Sequence, residues 1–385
     1  MTPAARLQSA IEVTDLIIAS ARENGPAADS IITTWFKERR YAGSGDRRAV
    51  RDLVYRAIRS FGRPPHTARA GFAALADLHP LFDGSTHGPA VLTKNENPAT
   101  PSLIPAWLED KIAEDEREAL LGRAPFDLRA NPRMASRDDV MALLQGAQAI
   151  EGTKHGLRLP DHIPLANRPE LNGLVEVQDA GSQMIAAACQ AQPGQRILDL
   201  CAGAGGKTLA LAADMNGEGH LLACDTDRAR LQRLEPRAHV AGISTINVRL
   251  LNPMQELAML DDQIGLNDTV LVDAPCSGSG TWRRNPELRW RLTKPRLEAV
   301  IELQARLLHL GSQFVKPGGA LVYAVCSLIP GEGRAQAEAF LKANPDWNAE
   351  SVGLSVGREE GPGWKLTPAH DGCDGFFIAR LVRSC

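Results

Sequence analysis

The 385-residue sequence has no long apolar run, no closely spaced cysteine pair and a net charge of only −3. The segment after Met1 is interrupted by charged side chains, so we expect neither a signal peptide nor a membrane span. None of the seven cysteines forms a C-x-x-C pair, which argues against a zinc site, and we expect no metal. An odd cysteine count without a secretion signal indicates reduced thiols and a cytoplasmic protein.

The small net charge hides a marked asymmetry along the chain. Residues 1–75 carry 12 Lys and Arg against 7 Asp and Glu, whereas residues 76–126 carry 4 against 9. A second basic cluster lies at residues 283–296. Basic patches attract phosphate backbones, although many such runs are only solvated faces. The candidate RNA-binding residues are Arg47, Arg48, Arg51, Arg59, Arg283, Arg284 and Arg289.

Four regions follow from the pattern of apolar residues and breakers. Residues 1–75 are predicted to be a helical domain, with its clearest helix from Asp46 to Phe61, capped by Ser44 or Asp46. Residues 76–124 form a linker with an acidic helix, Ala106 to Leu121. Residues 125–180 form a small α+β subdomain with strands near Phe126 and Leu174 and a helix from Arg137. There is no internal repeat.

Residues 181–385 alternate strands and helices, which predicts an α/β fold with a doubly wound sheet. Ligands of such sheets bind at the carboxyl ends of the strands. The predicted strands are 196–200, 220–225, 245–251, 269–273, 320–325 and 375–383.

A glycine-rich turn follows the first of these strands, with Gly203, Gly205 and Gly206 leading into a helix. Asp225 ends the next strand, at the spacing expected of an acid that binds a ribose. A phosphate loop would need a glycine where Cys201 stands, and a dinucleotide fold would need a third glycine in register. The interpretation that this turn binds a nucleoside ligand such as S-adenosylmethionine therefore ranks first, ahead of the interpretation that it is an ordinary glycine turn without a ligand.

Two later strands each run into a cysteine. Cys276 follows the strand that ends at Asp273, and Cys326 follows the strand at 320–325, with one helix of about 297–315 between them. A right-handed crossover makes such strands parallel neighbours, so both thiols are expected at the edge that carries the glycine turn. A thiolate there suits nucleophilic catalysis, although a single free cysteine is more often buried and inert.

The motifs around these cysteines resemble the Sun/Fmu (RsmB-type) RNA cytosine-5 methyltransferases. The resemblance is carried by Asp-Ala-Pro-Cys-Ser-Gly-Ser-Gly-Thr-Trp-Arg-Arg-Asn-Pro-Glu at 273–287 and Tyr-Ala-Val-Cys-Ser at 323–327. Val-Gln-Asp-Ala-Gly-Ser-Gln at 177–183 and the Leu-Asp-Leu-Cys-Ala stretch at 198–202 also match. The similarity spans roughly residue 125 to the C-terminus. The first 75 residues more weakly resemble a NusB-like RNA-binding domain.

The resemblance implies a Rossmann-like methyltransferase that uses S-adenosylmethionine to methylate carbon 5 of a cytosine in RNA, with ribosomal RNA ranked first. It implies that Cys326 attacks carbon 6 of the base, that Cys276 assists removal of the carbon-5 proton, and that Asp273 bonds the cytosine edge. Lys207 is a candidate for orienting the substrate. The implied cofactor-binding residues are Cys201, Ala202, Gly203, Ala204, Gly205, Gly206, Lys207, Asp225, Asn252 and Asp273.

Three positions depart from the family pattern. Gly203-Ala204 stands where Ala-Pro is usual, Asn252 replaces an Asp, and Gly333 replaces a common Asn. None of these changes removes a thiol. A non-catalytic RNA-binding scaffold and a DNA cytosine-5 methyltransferase, whose nucleophile stands at a Pro-Cys position like that of Cys276, remain the alternatives. We expect a monomer.

Overall fold

The computed structural model describes all 385 residues, and the chain forms two compact units. The helical unit comprises Met1–Gly122 with Trp282–Thr293, and the sheet unit comprises Arg123–Thr281 with Lys294–Cys385. The boundary predicted at residue 75 differs from this division. Buried Leu78 and Phe82 share one apolar core with the helices that precede them, so the first two predicted regions pack as one body.

The elements run as follows in chain order. The α-helices are α1 (Pro3–Glu23), α2 (Ala28–Lys37), α3 (Ser44–Ser60), α4 (Ala68–Ala73), α5 (Glu114–Ala119), α6 (Arg137–Ala142), α7 (Ala180–Ala188), α8 (Gly206–Asp214), α9 (Arg228–Leu231), α10 (Leu234–Val240), α11 (Glu256–Met259), α12 (Leu288–Arg291), α13 (Lys294–Ser312), α14 (Arg334–Ala343) and α15 (Pro368–Asp371). The strands are β1 (Phe126–Ala130), β2 (Gln148–Ala149), β3 (Gly156–Leu159), β4 (Val175–Val177), β5 (Arg196–Asp199), β6 (His220–Asp225), β7 (Ile246–Leu250), β8 (Asn267–Asp273), β9 (Val315–Val325), β10 (Trp347–Glu350), β11 (Arg358–Glu360), β12 (Gly363–Leu366) and β13 (Phe376–Arg383). None of the helices is long and apolar enough to cross a membrane.

Helix α3 of the helical unit forms where the apolar stripe predicts it. Val50 and Val54 are fully buried in the core of this unit. The predicted cap is wrong, because the N-cap residue is Gly43 and no side chain caps the helix. The Asp46 carboxylate instead accepts a hydrogen bond of 2.9 Å from the Arg6 guanidinium and pairs with the N-terminal ammonium.

The acidic helix predicted from Ala106 to Leu121 is two shorter pieces. A single 3₁₀ turn, Ala106–Leu108, is followed by α5, which begins only at Glu114. Three acids at 114–116 occupy the first turn of α5, where the positive end of the helix dipole favours negative charge. The acids therefore begin a new helix instead of continuing one.

The segment Trp282–Thr293 is held in the helical unit by polar side chains that bond to the backbone. The buried Arg289 guanidinium donates to the Ile58 carbonyl at 2.7 Å. The indole N–H of Trp290 donates to the carbonyl of Phe61 at 2.7 Å. This part of the second basic cluster thus serves to fix backbone, because buried carbonyls need donors.

The sheet unit contains a small antiparallel sheet of order β2-β3-β1-β4. Strands β1 and β4 and helix α6 lie where the sequence predicts them, and β2 and β3 are additional. Leu128 of β1 and Leu157 of β3 are cross-strand partners and are fully buried, which anchors the core of this sheet.

The large sheet has nine strands in the order β11-β12-β13-β9-β8-β5-β6-β7, with β10 paired to β13. Strands β5 to β9 are parallel to one another, and β13 runs antiparallel to β9. This is the predicted doubly wound α/β sheet, and all six predicted strands are present. Strand β9 begins earlier than predicted, at Val315.

Candidate active site

The side chains predicted to be functional follow the carboxyl ends of five adjacent parallel strands. In the spatial order β9-β8-β5-β6-β7, Cys326, Cys276 and the glycine turn follow the first three strands, Asp225 is the last residue of β6, and Asn252 follows β7. The chain reverses its winding direction at β5, since β6 lies on one side of it and β8 on the other. Open α/β sheets bind ligands at such a switch point.

The glycine turn is shaped by backbone conformations that favour glycine. Gly203 and Gly205 have φ values of 57° and 84°, and a Cβ on Gly205 would lie 2.1 Å from the Leu234 side chain. The Gly203 N–H donates to Asp225 Oδ2 at 2.7 Å, so the acid of β6 fixes the turn after β5. The first amides of α8 then face this edge, as in sites for nucleotide-like ligands.

Asp199, the last residue of β5, is a site residue that the sequence argument missed. It is buried, and its Oδ2 accepts a 2.7 Å hydrogen bond from the Thr208 hydroxyl, while Oδ1 has no partner. Burial raises the pKa of this carboxyl to about 7. A buried acceptor without a partner beside a nucleoside-type turn fits the ammonium group of an amino-acid-bearing nucleoside. Its position at the strand end could have revealed it.

Lys207 and Asp273 form an ion pair between α8 and β8. The Lys207 Nζ lies 2.7 Å from Asp273 Oδ2, and the side chain of Asp273 keeps 27% of its surface exposed. Burial opposes the charge of Lys207, but the attraction of Asp273 outweighs it and holds the lysine pKa above its ordinary value. The lysine is therefore charged at neutral pH, and the partly exposed carboxylate of Asp273 retains access to a substrate.

The two predicted thiols meet at the ends of β8 and β9. Their Sγ atoms lie 3.1 Å apart, within reach of one shared proton, and both side chains are partly exposed. The hydrogen bond to Cys326, burial and the nearby Glu332 carboxylate raise the pKa of Cys276 well above its ordinary value. The register of β8 with β9, which pairs Asp273 with Ala324, brings the two cysteines together as the crossover argument predicts.

Glu332 is a second residue that the sequence argument missed. Its fully buried carboxylate lies beside the thiols and accepts hydrogen bonds from Ser277 and Ser327, the residues that directly follow the two cysteines. No pattern in the sequence marks it, because the residue comes after β9 in a turn and reaches both loops only in the folded chain.

The other predicted cofactor residues line the same edge with different exposure. Cys201 is half-buried, and burial raises the pKa of its thiol well above the ordinary value. The Ala202 N–H donates to the Cys224 carbonyl at 2.8 Å, which joins the turn to β6. Asn252 is exposed, with its amide 3.4 Å from Gln255 Oε1.

The predicted RNA-binding arginines all belong to the helical unit. Three of them, Arg47, Arg48 and Arg51, are exposed on α3, and Arg59 and Arg284 are half-buried. Arg283 and Arg289 are 5% and 1% exposed. A buried guanidinium that donates to backbone carbonyls does not reach RNA, so the prediction for Arg289 is replaced by a structural role.

Residues 186–382 match the family described as 16S rRNA methyltransferase RsmB/F. The ribosomal RNA small subunit methyltransferase B of Klebsiella pneumoniae is 32% identical over 344 residues, which is 83% of this chain and 78% of that protein. A probable ribosomal RNA small subunit methyltransferase B from Synechocystis is 35% identical over 306 residues, 73% of this chain and 67% of that protein.

Solved structures agree with these matches in fold. A methyltransferase homolog from Pyrococcus horikoshii is 28% identical and superposes with a TM-score of 0.61, covering 70% of this chain and 90% of that one. The structure of PH0851 superposes with a TM-score of 0.76 over 99% of both chains at 21% identity, which shows the fold alone.

The sheet and its neighbours define the class as a Rossmann-like methyltransferase. The family match extends over more than half of the chain, and curated relatives above 30% identity extend further. This chain belongs to the RsmB/F family of rRNA methyltransferases. The resemblance seen in the motifs of the sheet unit is thereby confirmed, whereas the likeness of residues 1–75 to a NusB-like domain stays a prediction.

Proposed function

We propose that this protein transfers a methyl group from S-adenosylmethionine to carbon 5 of a cytosine in small-subunit ribosomal RNA. The observation that carries the proposal is the pair of thiols 3.1 Å apart at the ends of two adjacent strands, beside a glycine turn for a nucleoside. The relatives from Klebsiella pneumoniae and Synechocystis are both named as small-subunit ribosomal RNA methyltransferases, which supports the substrate.

The chemistry needs one thiolate and one proton acceptor on the same base. The Cys326 thiolate adds its electron pair to carbon 6 of the cytosine, which makes carbon 5 nucleophilic enough to take the methyl group. Loss of the carbon-5 proton to a base then drives the electrons back and expels the Cys326 thiolate, so the ring is restored. Cys276 lies one hydrogen bond away from Cys326, which supports a role for it in that second step.

Asp273 and Lys207 serve the base in this proposal. The exposed part of the Asp273 carboxylate accepts a hydrogen bond from the cytosine edge, and the ion pair with Lys207 orients that carboxylate. A cytosine presents an exocyclic amine that an anion recognises, whereas uracil presents a carbonyl at the same place. The pair thus favours cytosine.

The residues of the glycine turn fit S-adenosylmethionine, which supplies the methyl group when bound. Asp225, at the end of β6, would bond the ribose hydroxyls, and the backbone amides of 203–206 would approach the ligand closely. The unpartnered Oδ1 of Asp199 would accept from the methionine ammonium. Asn252 after β7 would bond the adenine side with its amide.

RNA docking in this proposal begins with the exposed arginines of α3. Arg47, Arg48 and Arg51 would contact phosphates, which gives affinity with little sequence preference. The base-specific step then depends on the thiol edge of the sheet unit.

A methyl-transfer assay tests the function. Unmodified small-subunit rRNA is incubated with protein and S-adenosylmethionine, then digested to nucleosides for mass analysis, with DNA of the same sequence as the matched control. We expect 5-methylcytidine from the RNA and no methylation of the DNA. RNA binding without methyl transfer would indicate a scaffold, and product only from DNA would indicate a DNA methyltransferase; either result contradicts the proposal.

A further inference from the structure

Glu332 forms a fully buried hydrogen-bonded network beside the thiols. Its Oε1 accepts from the Ser277 N–H at 2.7 Å and from the Gln304 amide at 3.0 Å. Its Oε2 accepts from the hydroxyls of Ser277 and Ser327, each at 2.5 Å. A buried carboxylate is costly unless its lone pairs are filled, and here four donors fill them.

Two of the residues that donate to Glu332 are adjacent in sequence to the two cysteines. Ser277 directly follows Cys276, and Ser327 directly follows Cys326. One carboxylate therefore holds the first residue after each thiol, on two loops that are 50 residues apart in sequence. The Gly280 N–H also donates to the Cys326 carbonyl at 3.1 Å, so the loops are joined at a second point.

Further contacts fix Glu332 itself from the other elements around it. The Tyr323 hydroxyl of β9 donates to the Glu332 carbonyl at 2.5 Å. Gln304 of α13 bonds both the Glu332 carboxylate and the Pro275 carbonyl, the latter at 2.9 Å. The carboxylate is thus anchored to the helix and to the strand, and it transmits that rigidity to both cysteine loops.

We propose that Glu332 is a positioning residue that ties the Cys276 loop to the Cys326 loop and so sets the spacing of the two sulfur atoms. The inference deepens the proposed function and rests on it for its catalytic meaning. Covalent attack and proton removal must occur on one base, so loss of alignment costs rate: a misplacement of about 1 Å costs on the order of a hundredfold.

Two substitutions test whether the hydrogen bonds of the Glu332 side chain are needed for the reaction rate. Glu332→Ala removes the acceptors, and we expect the single-turnover rate to fall about 100-fold, with RNA KM and cofactor Kd within about threefold of wild type. Glu332→Gln keeps one acceptor oxygen for Ser277 and Gln304, and its amide N–H₂ can donate to the serine oxygens. We expect it to recover about tenfold of the lost rate.

A matched control removes a buried carboxylate elsewhere in the sheet unit. Glu256 is 4% exposed and forms an ion pair with Arg306 at 2.9 Å. We expect Glu256→Gln to turn over within about threefold of wild type, because it touches neither loop. An alanine variant with the wild-type rate, or a glutamine variant no faster than alanine, would overturn the proposal. A fall in rate accompanied by an equally large rise in the RNA KM and the cofactor Kd would also overturn it.

A second readout needs no methyl transfer and remains usable if the alanine variant folds poorly. Iodoacetamide labelling, followed by peptide mass analysis, reports the access of reagent to Cys276 and Cys326, with the exposed Cys385 as internal standard. We expect Glu332→Ala and Glu332→Gln to label both loop thiols at least about fivefold faster, with Cys385 unchanged. Unchanged labelling would refute the tie. If the variants label faster but the wild-type protein shows no methyl transfer, the positioning role of Glu332 stands and only the proposed function is refuted.

Discussion

The two units bury charged side chains for different purposes. In the sheet unit, Asp199 and Glu332 are buried at the carboxyl edge of the sheet. Asp199 lies next to the glycine turn, and Glu332 lies next to the thiols. In the helical unit, Glu287 accepts from the Ala28 N–H at 2.8 Å and thereby satisfies the first amide of α2, and Arg289 satisfies carbonyls. The buried carboxylates Asp199 and Glu332 thus adjoin the candidate active site, whereas Glu287 and Arg289 hold backbone groups that are far from them in sequence.

This difference explains why a basic cluster in the sequence does not by itself predict exposed arginines. Arg48 on α3 and Arg289 on α12 both stand in basic clusters, yet only Arg48 is exposed. Burial lowers the pKa of Arg289 to about 9, which still leaves it protonated at neutral pH. Its charge is matched by backbone dipoles and not by phosphate, and substitutions should separate these two uses.

The largest effect on stability should come from Arg289→Met. The change removes the guanidinium that donates to the Ile58 and Leu103 carbonyls, and hydrogen bonds from a charged group contribute about 1.5–3 kcal/mol each. We expect the free energy of unfolding, measured by urea titration, to fall by about 3 kcal/mol. Arg48→Met, the exposed control, should change it by less than about 0.5 kcal/mol. A stable Arg289→Met protein with weakened RNA binding would show that Arg289 contacts RNA and does not serve mainly to hold backbone.

Asp225→Ala should weaken the cofactor site of the sheet unit. The Asp225 carboxylate bonds the amides of Gly203 and Asp227, both at 2.7 Å, and loss of a charged acceptor costs about 1–3 kcal/mol. Calorimetry should show S-adenosylmethionine affinity lower by about 10- to 100-fold. Asp262→Ala, which breaks an exposed ion pair with Arg249, is the control and should bind normally. Equal affinity in both variants would remove Asp225 from the site.

The smallest effect should come from Arg48→Glu with Arg51→Glu. Each lost phosphate contact lowers the slope of log affinity against log salt by about 1 unit, so RNA affinity should fall severalfold at low salt and less at high salt. Arg334→Glu, exposed on the sheet unit, serves as control. If the double variant keeps both the affinity and the salt slope of wild type, α3 does not dock RNA.

The sequence predicts the sheet unit better than its buried network. Strand β6 is predicted to the residue, and the meeting of Cys276 with Cys326 follows from the crossover rule, because local apolar runs and handedness determine both. The acceptor role of Glu332 and the donor role of Arg289 depend on partners far away in sequence. Spacing carries no signal for such contacts, so they emerge only from the folded chain.

The two thiols have different roles in the proposed reaction, and a covalent adduct distinguishes the two roles. Cys276→Ala keeps the Cys326 nucleophile but lacks the group that assists release. Incubated with small-subunit rRNA and S-adenosylmethionine, this variant should therefore accumulate a protein–RNA species that survives denaturing electrophoresis. Cys326→Ala should form no such species and no methylated product.

The adduct must also depend on its reactants. We expect it to disappear when S-adenosylmethionine is left out or when the RNA lacks cytosine at the target position. An adduct trapped in Cys326→Ala instead of Cys276→Ala would make Cys276 the nucleophile, as in the DNA enzymes. Full activity and no adduct in either variant would contradict both roles, because the two sulfur atoms would then be neighbours without a chemical function.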